Sequence, residues 1–245
     1  MKSRDHIFGL RAIIEAIQAK KHVDKVYLQK GLSGELFKEL EFILRKNKIA
    51  TSYVPIEKLN KLTQNNHQGA VALISPVDFQ DFESLVEEIL ERDSVPLFLL
   101  LDQVTDVRNF GAIIRTAECT GVDAIIVPKT GSAPITSDTI KTSAGAVFNI
   151  PIAKVDHLKD AIYYLQASNI AIVAATEKGD DTIFQTNLKS GCAIIMGAED
   201  KGISDSILKL VDHKAKLPIA GKIGSLNVSV ACGAILYEVF RQRLG

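Results

Sequence analysis

LFLLLDQVTDVRNFGAIIRTAECTGVDAIIV, residues 97–127, sets the fold class. LFLLL at 97–101 is a continuous apolar run, the pattern of a strand covered on both faces. A polar loop follows, and then Phe110, Ile113, Ile114 and Ala117 recur at the spacing of one helical face, predicting a helix over 110–120. AIIV at 124–127 is a second strand. Strand, loop, helix and strand in this order form a βαβ unit, whose strands must run parallel.

Downstream the alternation continues. A Gly/Ser/Thr/Pro loop at 129–137 leads to a helix predicted over 138–147, with Asp138 as an acid near its start. Strands are predicted at 150–153, 170–174, 193–196 and 216–219, and helices at 158–167, 205–210 and 226–244. The block from 95 onward therefore reads as an α/β domain with a mainly parallel sheet sandwiched by helices. Upstream lies a smaller α/β pattern. Ile7, Leu10, Ile13, Ile14 and Ile17 place a helix over 6–19; strands follow at 26–28, 49–54 and 69–74, with helices through Leu36–Leu40–Ile43–Leu44 and from Pro55 over 56–62.

The formal net charge is zero, from 29 basic and 29 acidic side chains, which excludes a globally basic nucleic-acid coat. The charges are nonetheless segregated. Residues 1–74 carry a net +6, residues 75–94 a net −6, and the remainder is balanced. This pattern predicts a basic domain at 1–74, an acidic linker at 75–94 and a second domain at 95–245. Phe82, Leu85, Val86, Ile89 and Leu90 make the linker a short amphipathic helix.

Cys119, Cys192 and Cys232 are odd in number and far apart, offering neither a disulfide framework nor a thiolate metal site, and they suit a reducing cytosol. The N-terminus lacks an apolar signal core, and no apolar run approaches the roughly 20 residues that span a bilayer, so a cytoplasmic location is expected. The five histidines show no metal spacing. There is no Gly-x-Gly-x-x-Gly after a strand, no Gly-Lys-Ser/Thr phosphate loop and no Gly-x-Ser-x-Gly elbow. NAD-type, P-loop and serine-hydrolase chemistry are thereby disfavoured, and any site belongs in the loops after the strands.

Three such loops are rich in polar groups. In 101–117, Asn109 stands where a helix N-cap belongs and Arg115 lies among apolar helix residues; a cap and a snorkelling side chain explain them equally well. In 194–203, Gly197 and Glu199 leave a strand end as in an ordinary turn. In 217–234, Gly221 and Gly224 loosen a strand-to-helix turn, with Ser225 or Asn227 as caps.

Taken in order, these segments closely resemble the three motifs of the SpoU/TrmH branch of the SPOUT methyltransferases, which make 2′-O-methylribose in RNA. The matching residues are Asn109 and Arg115, then Gly197 and Glu199, then Ser225 and Asn227, with Ser225-Leu-Asn-Val-Ser-Val-Ala the most specific stretch. His6-Ile-Phe-Gly-Leu-Arg-Ala-Ile-Ile-Glu-Ala and Asn66-His-Gln-Gly-Ala-Val-Ala resemble the ends of the small RNA-binding extension found in members that act on large-subunit ribosomal RNA.

The resemblance implies a deep trefoil knot in the C-terminal segment, a homodimer with the active site completed across its interface, and S-adenosylmethionine as cofactor. It implies a cofactor pocket lined by Thr176, Gly197, Leu217, Ile219 and Leu226. Arg115, Asn109, Glu199, Ser225 and Asn227 become the catalytic set, and no metal is required. Arginine stays protonated at neutral pH, so Arg115 is read as a phosphate-binding, charge-stabilising group rather than a free base. Phosphate, water and Arg115 all remain open as proton acceptors.

The basic segment is expected to select the RNA, with Arg4, Arg11, Lys20, Lys21 and Lys25 as first candidates for phosphate contact. The resemblance implies a guanosine of 23S ribosomal RNA as the substrate. The alternatives are transfer RNA and a non-catalytic RNA-binding role on the same fold.

Overall fold

The computed structural model describes residues 6–19, 21–179 and 181–244. Two compact units result: residues 1–78 with 134–137, and residues 79–133 with 138–245.

Unit 1 contains β1 (His6–Phe8), α1 (Leu10–Gln18), β2 (Val23–Gln29), α2 (Glu35–Lys46), β3 (Ala50–Val54), α3 (Ile56–Leu62) and β4 (Ala70–Ile74). Its sheet has the order β1-β4-β2-β3; β4 is antiparallel to both neighbours, and β2 is parallel to β3. Val26, Leu28, Ala70 and Ala72 pack against Ile13 and Ile14 of α1 and Leu40 and Leu44 of α2. The helix expected from residue 6 begins only at Leu10. His6–Phe8 pair with β4 instead, and Gly9 turns the chain with a φ of 93° that side chains resist. The Asn66-His-Gln-Gly stretch builds the entry to β4. His67 Nδ1 accepts from the Gly69 N–H at 3.0 Å, which leaves Nε2 to donate to Asn60 Oδ1, 2.8 Å away.

Unit 2 contains α4 (Phe82–Leu90), β5 (Leu97–Leu101), α5 (Val107–Cys119), β6 (Ala124–Pro128), α6 (Ser137–Thr142), β7 (Ile152–Val155), α7 (Leu158–Ala167), β8 (Ala171–Ala175), β9 (Asp181–Thr182), β10 (Cys192–Met196), α8 (Asp205–Leu208), β11 (His213–Lys216) and α9 (Val228–Arg243). Its strands are ordered β7-β6-β5-β10-β8-β11-β9, and every pair is parallel. β5, β6 and β10 are buried at every residue, as a sheet covered on both faces requires. Phe98, Leu100, Ile126 and Ile195 share one core with α4, α7 and α8. The alternate residues Leu97, Leu99 and Leu101 point to the other layer, where α5 and α9 pack together.

Three local expectations are revised, and one short strand is added. The acidic segment is not a free connector: from Phe79 it belongs to unit 2, where Leu85, Val86 and Ile89 of α4 enter the core and leave the carboxylates outside. The helix expected over 138–147 stops at Thr142, because Ala144 and Gly145 take φ of 51° and 86°; a single 3-10 turn, Ala146–Phe148, follows. The strand expected at 216–219 runs over His213–Lys216 instead, and the short strand Asp181–Thr182 had no apolar run to announce it. Among the described residues, no helix is long and apolar enough to cross a membrane. The three cysteines are unpaired, and full burial pushes the Cys232 thiol up to about 12.

The end of α9 is fastened by Arg243. Its guanidinium donates to the carbonyl oxygens of Val95, Pro96, Leu188 and Ser190 at 2.8–3.1 Å, tying the helix to the strand entries. Hydrogen bonds from a charged donor contribute more than neutral ones, so Arg243→Ala should cost about 2–3 kcal/mol of unfolding free energy. Denaturant titration checks this; an unchanged midpoint refutes it.

Candidate active site at the carboxyl edge of the parallel sheet

Because all strands of unit 2 run parallel, the loops after β5, β8, β10 and β11 leave from one edge. That edge is where open α/β sheets bind ligands.

The first loop ends in a cap. Asp106, not Asn109, is the N-cap of α5: its carboxylate accepts from the N–H groups of Arg108 and Asn109 at 2.9 and 2.8 Å. Asn109 is thus inside the first helical turn with its side chain released from capping. The spacing Asp-x-x-Asn held that signal, since an N-cap carboxylate reaches the N–H three residues on.

The freed side chain meets two others from distant sequence. Asn109 Nδ2 donates to Glu199 Oε2 at 3.2 Å, and Asn227 Nδ2 lies 3.0 Å from Asn109 Oδ1 and 3.2 Å from Glu199 Oε1. Asn227 also caps α9, its Oδ1 accepting from the Ser229 N–H and hydroxyl at 3.0 and 2.6 Å. One residue from each polar loop therefore joins a closed triangle. Both carboxylate oxygens of Glu199 accept hydrogen bonds, which suits it to orient two amides.

Two cavities flank the triangle. One, of about 320 Å³, is lined by Thr176, Gly197, Leu217, Ile219 and Leu226, together with Ser225 and Glu199. Its volume falls in the range of small-molecule sites, and its walls mix Leu and Ile side chains with loop backbone. The other, of about 420 Å³, is lined by Gln103, Val104, Thr105, Asp106, Asn109 and Glu199 among others. Ala198, Glu199, Asp200 and Val228 border both. The expected residues thus gather at one place, with one exception. Arg115 lines neither cavity; it is exposed on α5 and makes no hydrogen bond or ion pair among the described residues. Six residues beyond Asn109, it lies about 9 Å further along the helix and on another side of it.

Sequence reasoning passed over the Gln103–Asp106 wall and the loop tip Asp200–Gly202, whose polar residues resemble any surface turn. It also passed over Asp102, a buried carboxylate that accepts from the Ser204 N–H at 2.8 Å and so fixes the far end of the same turn.

Gly197 has a reason other than backbone freedom. A Cβ there would stand 2.1 Å from the Gly202 carbonyl carbon and 2.3 Å from the Ile203 nitrogen. The turn closes on itself through Ala198 and Gly202, which exchange backbone hydrogen bonds at 3.1 and 2.8 Å. Gly197→Ala should open this turn, costing roughly 1–3 kcal/mol of stability as overpacking does. Thermal unfolding with a parallel ligand-binding titration measures both consequences, and a variant unchanged in both contradicts the packing argument.

Of the residues expected to contact RNA, Arg11 is exposed on α1, Lys21 is exposed before β2, and Lys25 is half-buried on β2. Arg4 and Lys20 lie outside the described residues. Among the described residues no group of three His, Cys, Asp or Glu side chains is arranged to hold a metal ion.

Comparison with known proteins gives a consistent picture. Residues 96–237 match the model of the SpoU rRNA methylase family, and residues 6–80 match that of the RNA 2′-O ribose methyltransferase substrate-binding domain. A Staphylococcus aureus protein assigned to the TrmH family of tRNA/rRNA methyltransferases is 36% identical, over 97% of this chain and 96% of that one. The SpoU methyltransferase AviRb from Streptomyces viridochromogenes, solved in complex with AdoMet, is 26% identical with a TM-score of 0.62, covering 98% of this chain and 90% of its own. The A. aeolicus TrmH/SpoU tRNA modifying enzyme is 29% identical with a TM-score of 0.57, over 66% of this chain and 82% of its own.

Proposed function

Since this chain belongs to the SpoU rRNA methylase family and is an RNA 2′-O-ribose methyltransferase, we propose that it methylates a guanosine of 23S ribosomal RNA, using S-adenosylmethionine bound in the cavity beside Glu199. The observation that carries this reading is the Asn109–Glu199–Asn227 triangle standing between two cavities. One cavity suits a nucleoside: Leu217, Ile219 and Leu226 offer flat apolar contact, and Thr176 and Ser225 offer hydroxyls. The other is open to an incoming ribose.

When bound, S-adenosylmethionine supplies an electrophilic methyl carbon. The protein must hold the 2′-hydroxyl oxygen opposite the carbon–sulfur bond that breaks, and let the hydroxyl proton leave. Asn109 and Asn227, locked through Glu199, present amides that orient the ribose at the border of the cavities. Ser225, expected near the acceptor, lines the cofactor cavity and is read here with the cofactor. Arg115 binds the adjoining phosphate and stabilises the forming alkoxide.

Because Arg115 is remote from its own triangle, the proposal includes a homodimer in which Arg115 of the partner subunit completes the site. α9 supports this, with exposed apolar side chains at Val230, Tyr237 and Phe240 next to α5. The knot implied by the resemblance belongs to the same proposal.

Ribosomal over transfer RNA is favoured by unit 1, which matches a substrate-binding domain and carries the positive charge. Mass-spectrometric mapping of ribose methylation in both RNA pools, with and without the gene, tests the reading. Loss of one 2′-O-methylguanosine in 23S RNA is expected. Loss of a transfer-RNA mark instead overturns the substrate, and no loss in either pool overturns the function.

A further inference from the structure

On β2, Val26 and Leu28 are buried against α1 and α2, so the intervening Lys25, Tyr27 and Gln29 face the opposite side of the unit 1 sheet. That side is covered only in part, where Leu59 of α3 packs on Val54 and Val71 and leaves Tyr27 half-buried at the margin. Two ammonium groups converge on the Tyr27 ring: Lys25 Nζ at 5.2 Å and Lys58 Nζ at 5.5 Å from its centroid. Among the described residues neither lysine has an ion pair and the Tyr27 hydroxyl has no hydrogen-bond partner. Partial burial raises the tyrosine pKa, so the phenol is a neutral donor. The ring attracts each ammonium, but no carboxylate pairs with either among the described residues, so an anion would find two uncompensated positive charges there.

We infer that Lys25, Tyr27 and Lys58 form an RNA-contact site, in which the ammonium groups bind backbone phosphates and Tyr27 takes an unpaired base or ribose against its ring and hydroxyl. The inference rests on the reading above that the chain acts on RNA. Its net positive unit matches a polyanion, and an aromatic ring beside phosphate-binding cations suits a single strand, whose bases are free to stack. Lys58 and Tyr27 carry no motif. The site also divides the basic residues, because Arg11 is on α1, which packs on the other face of the sheet.

The test uses the full-length chain and a fluorescein-labelled, mixed-sequence single-stranded oligoribonucleotide, followed by anisotropy over a range of salt concentrations. The Lys25→Gln/Lys58→Gln double variant should weaken binding about tenfold or more and flatten the log–log salt slope by about 1.4, as two lost single-strand phosphate contacts require. Tyr27→Leu should weaken binding by about tenfold with the salt slope unchanged, since stacking is not ionic. Thermal unfolding checks that the folds are intact; should Tyr27→Leu not fold, the lysine pair, which supplies no core side chain, decides alone. Wild-type affinity and slope in the lysine variant overturn the site while leaving the methyltransferase reading untouched. Failure of the unmodified chain to bind any RNA overturns that reading, and the site with it.

Discussion

Replacing Arg115 by alanine lowers single-turnover methyl transfer by about two to three orders of magnitude, while S-adenosylmethionine affinity stays nearly unchanged. The asymmetry follows from position. Arg115 lines neither cavity of its own subunit, whose cofactor walls are therefore intact without it, and the role proposed for it lies at the RNA phosphate. In the proposed role, what is lost is a fixed positive charge at the phosphate and the developing alkoxide, where stabilisation acts on the transition state alone. Arg115→Lys should recover only part of the rate, because an ammonium lacks the planar fork that grips phosphate with two hydrogen bonds. A second measurement separates the subunits. Mixing Arg115→Ala protein with Glu199→Ala protein should regain activity that neither has alone, if one subunit supplies the arginine and the other the triangle. A near-normal rate for Arg115→Ala would return the residue to the plain role of a solvated arginine on a helix.

A chain beginning at residue 79 should fold and bind S-adenosylmethionine yet lose methylation of ribosomal RNA fragments. The physical basis is that the two units have separate cores. Ile13, Val26, Leu28, Leu40 and Leu44 belong to one, and Phe98, Ile126, Ile162, Ile172 and Ile195 to another. The cut must fall before α4 and not at 95, since a later start would strip Leu85, Val86 and Ile89 from the second core. Calorimetry on the shortened protein reads the cofactor, and methyl incorporation into RNA fragments reads the substrate. Retention of the same methylation, with the same salt dependence, would show that the basic unit does not select the RNA.

The sequence by itself determined the α/β class and the regions of nearly all the larger elements, because an apolar strand core and a helical face are local patterns. LFLLL at Leu97–Leu101 and the stripe through Phe110, Ile113 and Ile114 need only their own neighbours to be read. The motif resemblance singled out Asn109, Glu199, Ser225 and Asn227 only when the three loops were read together in their order, since each loop alone passes for an ordinary cap or turn. Three things needed the tertiary structure. The identity of the α5 cap passed to Asp106 because backbone geometry, not residue type, decides which carboxylate reaches the free N–H groups. The triangle of Asn109, Glu199 and Asn227 depends on parallel strands delivering distant loops to one edge, and no spacing along the chain encodes that meeting. The exclusion of Arg115 from it, and the gathering of Lys25 and Lys58 at Tyr27, turn on which side of a helix or a sheet a side chain leaves. Periodicity gives the face, but only packing says what the face meets.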